Sequence, residues 1–182
     1  HSYSSAASDV YKRQPYGLMK RVGELYTKSL GGLIVHFWNV YGIEKDMEKA
    51  HVITDFIRKG FETGVIDMMT DGTEERQFLY AEDCCKALKI IMKKYDEFKS
   101  DDPLHITSFR NNSILEVAET IQDVFKEHGM NHIEISPSKL KDSVQMDKKN
   151  KPDTYILDWW QPKTTLMSGI TKVFEAMKND WV

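Results

Sequence analysis

Apolar residues recur along the chain at two spacings, which predict an alternation of helices and strands. After Pro15, the residues Leu18, Val22 and Leu25 stand three or four positions apart and predict a helix, which a pair of glycines would end. The nearly continuous apolar run 33–41 that follows predicts one strand buried on both faces of a parallel sheet. Helix, glycine turn and buried strand together form one step of an alternating α/β fold.

The rest of the chain continues this alternation. Helical patterning predicts further helices at 51–60, 81–98, 114–127 and 166–181. Shorter extended runs are predicted at 65–70, 76–80, 104–107 and 133–137, and the polar segment 138–153 is expected to be exposed. Ser113 precedes the helix predicted at 114–127, and Glu116 stands three positions after Ser113. This spacing predicts a capping box. Met92 and Tyr95 are expected on the inner side of the helix predicted at 81–98.

Composition narrows the class of protein. The 182 residues are 41% hydrophobic and 29% charged, with a formal net charge of −3, which is ordinary globular usage sufficient for one domain or somewhat more. The interspersed charges give no nucleic-acid footprint, and no apolar run is long enough to predict a membrane span. Cys84 and Cys85 are adjacent, so they cannot form a spaced disulfide framework. We therefore expect a reduced, cytoplasmic setting and no metal site.

Residues 1–14 differ from the rest of the sequence. They contain a cluster of serine and alanine without periodicity, and they lack the apolar core of a signal peptide. We interpret the segment as a non-native tail, such as a translated cloning adaptor, with a flexible natural tail as the alternative. The domain division predicted is therefore a tail at 1–14 and a folded unit at 15–182.

Tyrosine and lysine are separated by four positions at three places. The pairs are Tyr16 and Lys20, Tyr41 and Lys45, and Tyr95 and Lys99. On a helix this spacing puts both side chains on one face, and a cation near a phenol favours the phenolate, as acid–base catalysis requires. The spacing alone does not select one pair. Asn39, at the end of the buried strand, is a candidate ligand donor or a turn residue.

Four motifs follow one another along the chain. They are Tyr16-Gly17-x-x-Lys20 with Glu24, Asn39-Val40-Tyr41-Gly42, Asp71-Gly72-x-x-x-Arg76-x-Phe78-x-x-Ala81-x-Asp83, and Trp160-x-Pro162-x-Thr164-x-Leu166-x-x-Gly169. Together they resemble the C-terminal portion of the NAD-dependent sugar-nucleotide epimerase/dehydratase family, the extended short-chain dehydrogenases/reductases, over roughly residues 15 to 178. The resemblance selects Tyr16 and Lys20 as the family's catalytic pair.

The resemblance implies a fold and a cofactor. The fold class would be α/β, the C-terminal part of a Rossmann-like parallel sheet interleaved with a smaller α/β substrate-binding lobe. NAD would take a hydride from a sugar carbon while Tyr16 removes the hydroxyl proton, and Lys20 would support Tyr16 and hold the ribose hydroxyls. Phe37 and Trp38, within the predicted strand, are assigned to cofactor binding together with Tyr16 and Lys20.

The implied substrate is a nucleotide-diphosphate sugar. Asn39 would bond near its phosphates, and Arg76 would pair with the diphosphate; the alternative for Arg76 is a surface ion pair with Glu74 or Glu75. His51 and Lys151 are further candidate substrate contacts, with simple exposure as the alternative for each.

The sequence also departs from the family's pattern. His36 stands where the family usually has an arginine, three residues before the asparagine. Neither the Gly-x-x-Gly-x-x-Gly phosphate turn nor the upstream Ser or Thr of the catalytic trio is found in the chain. We therefore expect an N-terminally truncated, inactive fragment with exposed apolar surface and poor stability.

Several hypotheses on function remain open. The first is an epimerase, slightly favoured over a dehydratase, that is a homodimer when intact. A non-catalytic dinucleotide- or sugar-nucleotide-binding protein on the same scaffold is the alternative, and a fragment that only partly folds is a third.

Overall fold

The computed structural model describes residues 15–98, 103–142 and 151–181. The helices in these ranges are α1 (Pro15–Ser29), α2 (Val52–Thr63), α3 (Ala81–Lys93), α4 (Ile114–Glu127) and α5 (Leu166–Trp181). The strands are β1 (Val35–Phe37), β2 (Asn39–Tyr41), β3 (Val65–Asp67), β4 (Glu75–Arg76), β5 (Phe78–Tyr80), β6 (Leu104–Ile106), β7 (Asn112–Ser113) and β8 (Glu134–Ser136). The predicted tail 1–14 and part of the polar segment, 143–150, lie outside the described residues.

The strands pair mainly in parallel. β1 pairs with β6, β2 with β5 and β3 with β8, all in parallel, whereas the short strands β4 and β7 are antiparallel. Parallel neighbours require crossover connections, which the intervening helices provide. This arrangement confirms the predicted α/β class. Because Phe37 stands opposite Ile106, the residues after β1 and β6 emerge at one edge of the sheet.

The run 33–41 forms two strands, so the prediction of a single strand is wrong. The chain changes neighbour at Trp38, because β1 pairs with β6 and β2 with β5. The Trp38 backbone N–H still donates to the Ile106 carbonyl, at 3.4 Å. Burial on both faces is also wrong for this run. Phe37 is 53% exposed, and within 33–41 Tyr41 alone is buried.

The predicted capping box is confirmed at the start of α4, whereas α2 continues three residues beyond its predicted range, to Thr63. α4 begins with the capping box: Ser113 Oγ accepts from the Glu116 N–H at 3.0 Å, and Glu116 Oε2 accepts from the Ser113 N–H at 2.7 Å. α2 ends at Gly64, whose φ of 72° is the left-handed conformation that glycine adopts without strain.

α3 is shorter than its apolar pattern predicts. The helix ends at Lys93, and a 3-10 turn over Tyr95–Glu97 carries the chain to the buried Phe98. Met92 and Tyr95 are exposed, at 78% and 45%, so their expected position on the inner side is wrong. Met92 lies in the last turn of α3 on the side opposite the core, and Tyr95 begins the 3-10 turn that follows the helix.

Two apolar clusters form the core. The first joins α2, α4 and α5 around the rings of Phe125, Phe174 and Phe61, whose centroids lie 4.9–5.1 Å apart. The second lies between β6, β5, α3 and the segment 155–160, and it includes Ile106 and Trp160.

α1 stands apart from both clusters. Gly17 is the buried residue of this helix, whereas its large apolar side chains are exposed. They are Tyr16, Leu18, Met19, Val22, Leu25 and Tyr26. At 100° per residue they form one broad arc, which the helix turns away from the rest of the described structure. The expected exposed apolar surface is therefore present.

Candidate active site

Tyr16 and Lys20 lie on one face of α1, as the four-residue spacing requires. The Lys20 ammonium stands over the Tyr16 ring, 5.4 Å from its centroid, a distance at which a cation is attracted to the ring. Tyr16 is 58% exposed. The first turn of α1 therefore presents a phenol and an ammonium together at an accessible surface.

A polar contact joins α1 to β1. Glu24 lies two turns beyond Tyr16, and its Oε1 is 2.8 Å from Nε2 of His36. The other oxygen of Glu24 accepts from Arg21 Nη1 at 2.6 Å. Burial raises the pKa of Glu24, but the hydrogen bonds from Arg21 and His36 outweigh this effect and leave the pKa below its usual value.

Asn39 lies at the edge where β1 and β6 end. Its Nδ2 donates to the Gln77 carbonyl at 3.3 Å. The buried Gln77 side chain donates to Asn111 Oδ1 at 2.9 Å and accepts from Thr107 Oγ1 at 3.0 Å. Of the two residues assigned to the cofactor, Phe37 is exposed, and Trp38 packs against His105 with ring centroids 5.8 Å apart.

Gln77, Thr107 and Asn111 were missed by sequence reasoning. Gln77 lies inside the third motif, directly after Arg76. The signal that could have found it is a polar residue between two predicted strand residues. Thr107 and Asn111 carry no local signal, because only strand pairing brings them to Gln77. These three side chains and Asn39 make a connected polar group at one edge of the sheet.

Arg76 reaches this region from β4. Its Nη2 forms an ion pair with Asp142 Oδ2 at 2.7 Å, and its Nη1 donates to the Glu75 carbonyl at 3.1 Å. Both side chains of the ion pair are largely buried, with 13% of Arg76 and 17% of Asp142 exposed. The acidic partner is thus Asp142, whereas the expected alternative was Glu74 or Glu75. β4 leads through Gln77 into β5, which pairs with β2. Gln77 therefore lies next to both residues: Arg76 precedes it in the chain, and Asn39 donates to its carbonyl.

His51 and Lys151 lie apart from this group. His51 is the N-cap residue of α2, and its exposed ring bonds to Glu44 through Nδ1. Burial raises the pKa of Glu44, but hydrogen bonds from His51 and Thr54 lower it overall. Lys151 is exposed. Among the described interactions, neither residue contacts Asn39 or Arg76.

Asp83 connects the third motif to the fourth. The buried Asp83 carboxylate accepts the backbone N–H groups of Lys163 at 2.8 Å and Thr164 at 2.6 Å. Burial raises the pKa of Asp83, but the Thr164 and Lys163 donors lower it below its usual value. The two motifs are therefore held together by a charged acceptor, which is a structural role.

Residues 15–98, 103–142 and 151–181 contain no group of three or more His, Cys, Asp or Glu side chains placed to hold a metal ion. Cys84 and Cys85 are both free thiols. None of the helices in these ranges combines the length and the apolar character needed to cross a bilayer.

The fold and this edge define a class of protein: a Rossmann-like α/β protein whose tyrosine–lysine helix is joined to a strand that ends in polar groups. A family model described as "NAD dependent epimerase/dehydratase family" matches residues 2–106, more than half of the chain. The chain therefore belongs to the NAD-dependent epimerase/dehydratase family, as its motifs indicated. The family is NAD dependent, which confirms NAD as the predicted cofactor.

Individual relatives agree with the family. The chain is similar to the GDP-L-fucose synthase of Sinorhizobium fredii (strain NBRC 101917 / NGR234), with 29% identity over 183 residues that cover 91% of this chain and 54% of the relative. It is 28% identical over 173 residues to a putative UDP-glucose 4-epimerase of Methanocaldococcus jannaschii, with the same two coverages, 91% and 54%. The chain thus spans about half the length of the curated relatives it matches.

Solved structures show the same fold. The crystal structure of UDP-glucose 4-epimerase from Thermotoga maritima with UDP-glucose superimposes with a TM-score of 0.74 at 20% identity, and it covers 91% of this chain and 54% of that chain. This likeness confirms the Rossmann-like fold class.

Proposed function

We propose that this chain is part of an enzyme that epimerises, or dehydrates, a nucleotide-diphosphate sugar through a transient keto-sugar. Tyr16 is its general base and acid, and Lys20 supports Tyr16. One observation carries the proposal: the two side chains share an accessible face of α1, with the ammonium 5.4 Å from the ring centroid. Family membership supplies the reaction class and the cofactor.

The residues of this chain suit the nicotinamide-ribose end of NAD. Tyr16 is accessible, the exposed Phe37 ring gives an apolar contact at the strand end, and Lys20 brings the donors that ribose hydroxyls need. When bound, NAD supplies the hydride acceptor and donor of the reaction. Lys20 would donate to the ribose hydroxyls, and Phe37 and Trp38 would line the nicotinamide. The chain contains no Gly-x-x-Gly-x-x-Gly turn, so we assign none of its residues to the pyrophosphate of NAD.

Tyr16 would move the proton. Its phenolate oxygen would take the proton of the reacting sugar hydroxyl as the C–H bond gives up its hydride, and would return it when the new alcohol forms. The positive charge of Lys20 would stabilise the negative oxygen that forms during the reaction, most strongly when the ligand excludes water from the site. Proton transfer by a positioned side chain typically contributes about 10²–10⁴-fold in rate.

Asn39 and Arg76 would hold the diphosphate. An arginine presents two parallel N–H donors to phosphate oxygens, and a side-chain amide adds one more. Asp142 places an anionic oxygen 2.7 Å from Arg76 Nη2, which supports a phosphate oxygen at this position. Substrate binding would therefore exchange the Asp142 carboxylate for a phosphate.

His51 and Lys151 are proposed only as outer contacts of the substrate. His51 would have to leave Glu44, with which its ring is paired, before it could reach a sugar. Lys151 is exposed and would act as a mobile cation beside the nucleotide.

Replacing Tyr16 by Phe in the intact protein tests the proposal. The variant should lose turnover of the sugar nucleotide by at least about 10²-fold while NAD affinity stays close to that of the wild type. Tyr26→Phe is the matched control, because Tyr26 is an exposed tyrosine on the same helix, and it should leave turnover unchanged. Turnover retained in Tyr16→Phe would refute the catalytic assignment. A wild-type protein that binds NAD without turnover would favour the non-catalytic alternative.

We also propose that the chain is an N-terminally truncated piece of a longer enzyme that is a homodimer when intact. The exposed apolar arc of α1 and the coverage of about half of the relatives support this. On its own the chain should be inactive and should melt broadly or self-associate. A sharp, cooperative melt of a monomer by calorimetry and gel filtration would contradict the first part, and sedimentation of the longer protein as a monomer would contradict the second.

A further inference from the structure

Two histidines face each other across the β1–β6 pair. His36 stands opposite His105 in the parallel register, and their ring centroids are 5.3 Å apart. Trp38 lies two residues after His36, on the same face, and its ring contacts His105. The face of the sheet that meets α1 therefore carries adjacent imidazoles.

α1 meets this face through Glu24. Glu24 follows Lys20 by four positions and Tyr16 by eight, so the three side chains lie along one side of the helix. The Oε1 of Glu24 lies 2.8 Å from Nε2 of His36, and its side chain is 18% exposed. A contact here sets how far the phenol of Tyr16 stands from the strand that leads to Asn39.

The titratable groups at or next to the His36 ring come from α1, from β6 and from the segment after residue 151. From α1 comes Glu24, which contacts His36 through Oε1. Arg21, also on α1, bonds to the other oxygen of the Glu24 carboxylate. From β6 comes His105, and from the segment after residue 151 comes Asp153, whose backbone N–H donates to His105 Nδ1 at 3.3 Å. Burial lowers the pKa of His105, and the neighbouring His36 lowers it further. The neutral form of His105 is therefore favoured, and of the two imidazoles it is His36 that contacts the Glu24 carboxylate.

We infer that His36 is a positioning residue whose protonated ring, bound to Glu24, clamps α1 against β1 and so orients Tyr16 and Lys20 at the ligand edge. The inference rests on the proposed function, because it assigns a consequence for Tyr16. The clamp is strongest where His36 is charged and Glu24 is ionised. It weakens as the pH rises and His36 loses its proton, since a neutral imidazole keeps only an uncharged hydrogen bond to the carboxylate.

Hydrogen–deuterium exchange of the chain as it stands tests this without any assay of turnover. Protection of the α1 amides, corrected for intrinsic exchange and referred to the α4 amides, should fall about two- to fivefold between mildly acidic and mildly alkaline pH, as expected for a partly exposed ion pair. His36→Gln and Glu24→Gln should each show, at all pH values, the weaker α1 protection that the wild type shows at mildly alkaline pH. His36→Arg should restore strong protection and remove its pH dependence, because arginine keeps its charge.

Glu119→Gln is the matched control, because Glu119 is an exposed glutamate on α4 and should leave the α1 profile unchanged. Protection of α1 that does not depend on pH in the wild type would overturn the inference. Failure of His36→Arg to restore protection would overturn it equally. Failure of Tyr16→Phe to lose turnover would instead refute the proposed function and leave the exchange result standing.

Discussion

Gly169→Ala should destabilise this fold, because α5 crosses β2 at a point that has no room for a side chain. A Cβ built on Gly169 would overlap the hydroxyl oxygen of Tyr41 and stand 2.8 Å from Cζ of that ring, closer than the 3.0 Å that real Cβ atoms keep. Tyr41 is buried, and its ring packs edge-on against Phe78 and Tyr80 with centroids 6.4 and 5.6 Å away. The ring is therefore confined and cannot easily move aside.

The magnitude follows from two opposing effects of the Gly169 substitution. Overpacking a well-packed core costs about 1–3 kcal/mol, and the overlap with the Tyr41 hydroxyl justifies the upper end. Alanine is favoured over glycine inside a helix by about 1 kcal/mol, which offsets part of this cost. The free energy of unfolding should fall by about 2 kcal/mol. For a chain of this length, that is a fall in Tm of roughly 4–8 °C.

Thermal unfolding followed by far-ultraviolet circular dichroism measures this effect. Gly23→Ala is the matched control, because Gly23 lies within α1 with open space around its Cβ position, so its Tm should not fall. Tyr41→Phe combined with Gly169→Ala should recover part of the loss, since the overlapping oxygen is removed. An unchanged Tm for Gly169→Ala, or a double variant no more stable than the single one, would refute the reasoning.

Three further predictions concern single side chains. Asp83→Asn should lower the free energy of unfolding by about 1–3 kcal/mol. Because the folded-state pKa of Asp83 is lowered, its contribution is complete above about pH 4 and is lost as the pH falls through the folded-state pKa, so melts of both proteins should converge in acid. Ser113→Ala should cost about 1 kcal/mol in urea denaturation, through loss of the α4 cap, and an unchanged midpoint would contradict it. If Arg76 holds the diphosphate as proposed, Asp142→Asn should tighten the binding of a nucleoside diphosphate by about fivefold in calorimetry, because Arg76 is released from its ion pair, whereas Arg76→Met should abolish that binding.

The sequence was most informative where the physics is local. α2, α4 and α5 could be predicted because their apolar residues recur at helical spacing. The capping box of α4 could be predicted because Ser113 and Glu116 lie within one turn of each other. The family could be recognised because its motifs are short and keep their order along the chain. Tyr16 and Lys20 share a face for the same reason, since four residues make little more than one helical turn.

The errors occurred where the outcome depends on distant neighbours. The run 33–41 has the composition of one buried strand, but it breaks at Trp38 because β6 and β5 take different parts of it as partners. The pattern of α3 continues past Lys93, but the turn at Tyr95–Glu97 ends the helix.

The sequence by itself determined most of the helices, the α/β class and the family, and it selected Tyr16 and Lys20 as the pair that we propose to be catalytic. Only the tertiary structure decided what each polar group meets: Asp142 for Arg76, Glu24 for His36, and the backbone of Thr164 for Asp83. These partners stand between 12 and 81 positions apart along the chain. Capping and helical periodicity act within a few residues and leave a local pattern, whereas a contact across the sheet exists only after the strands have paired.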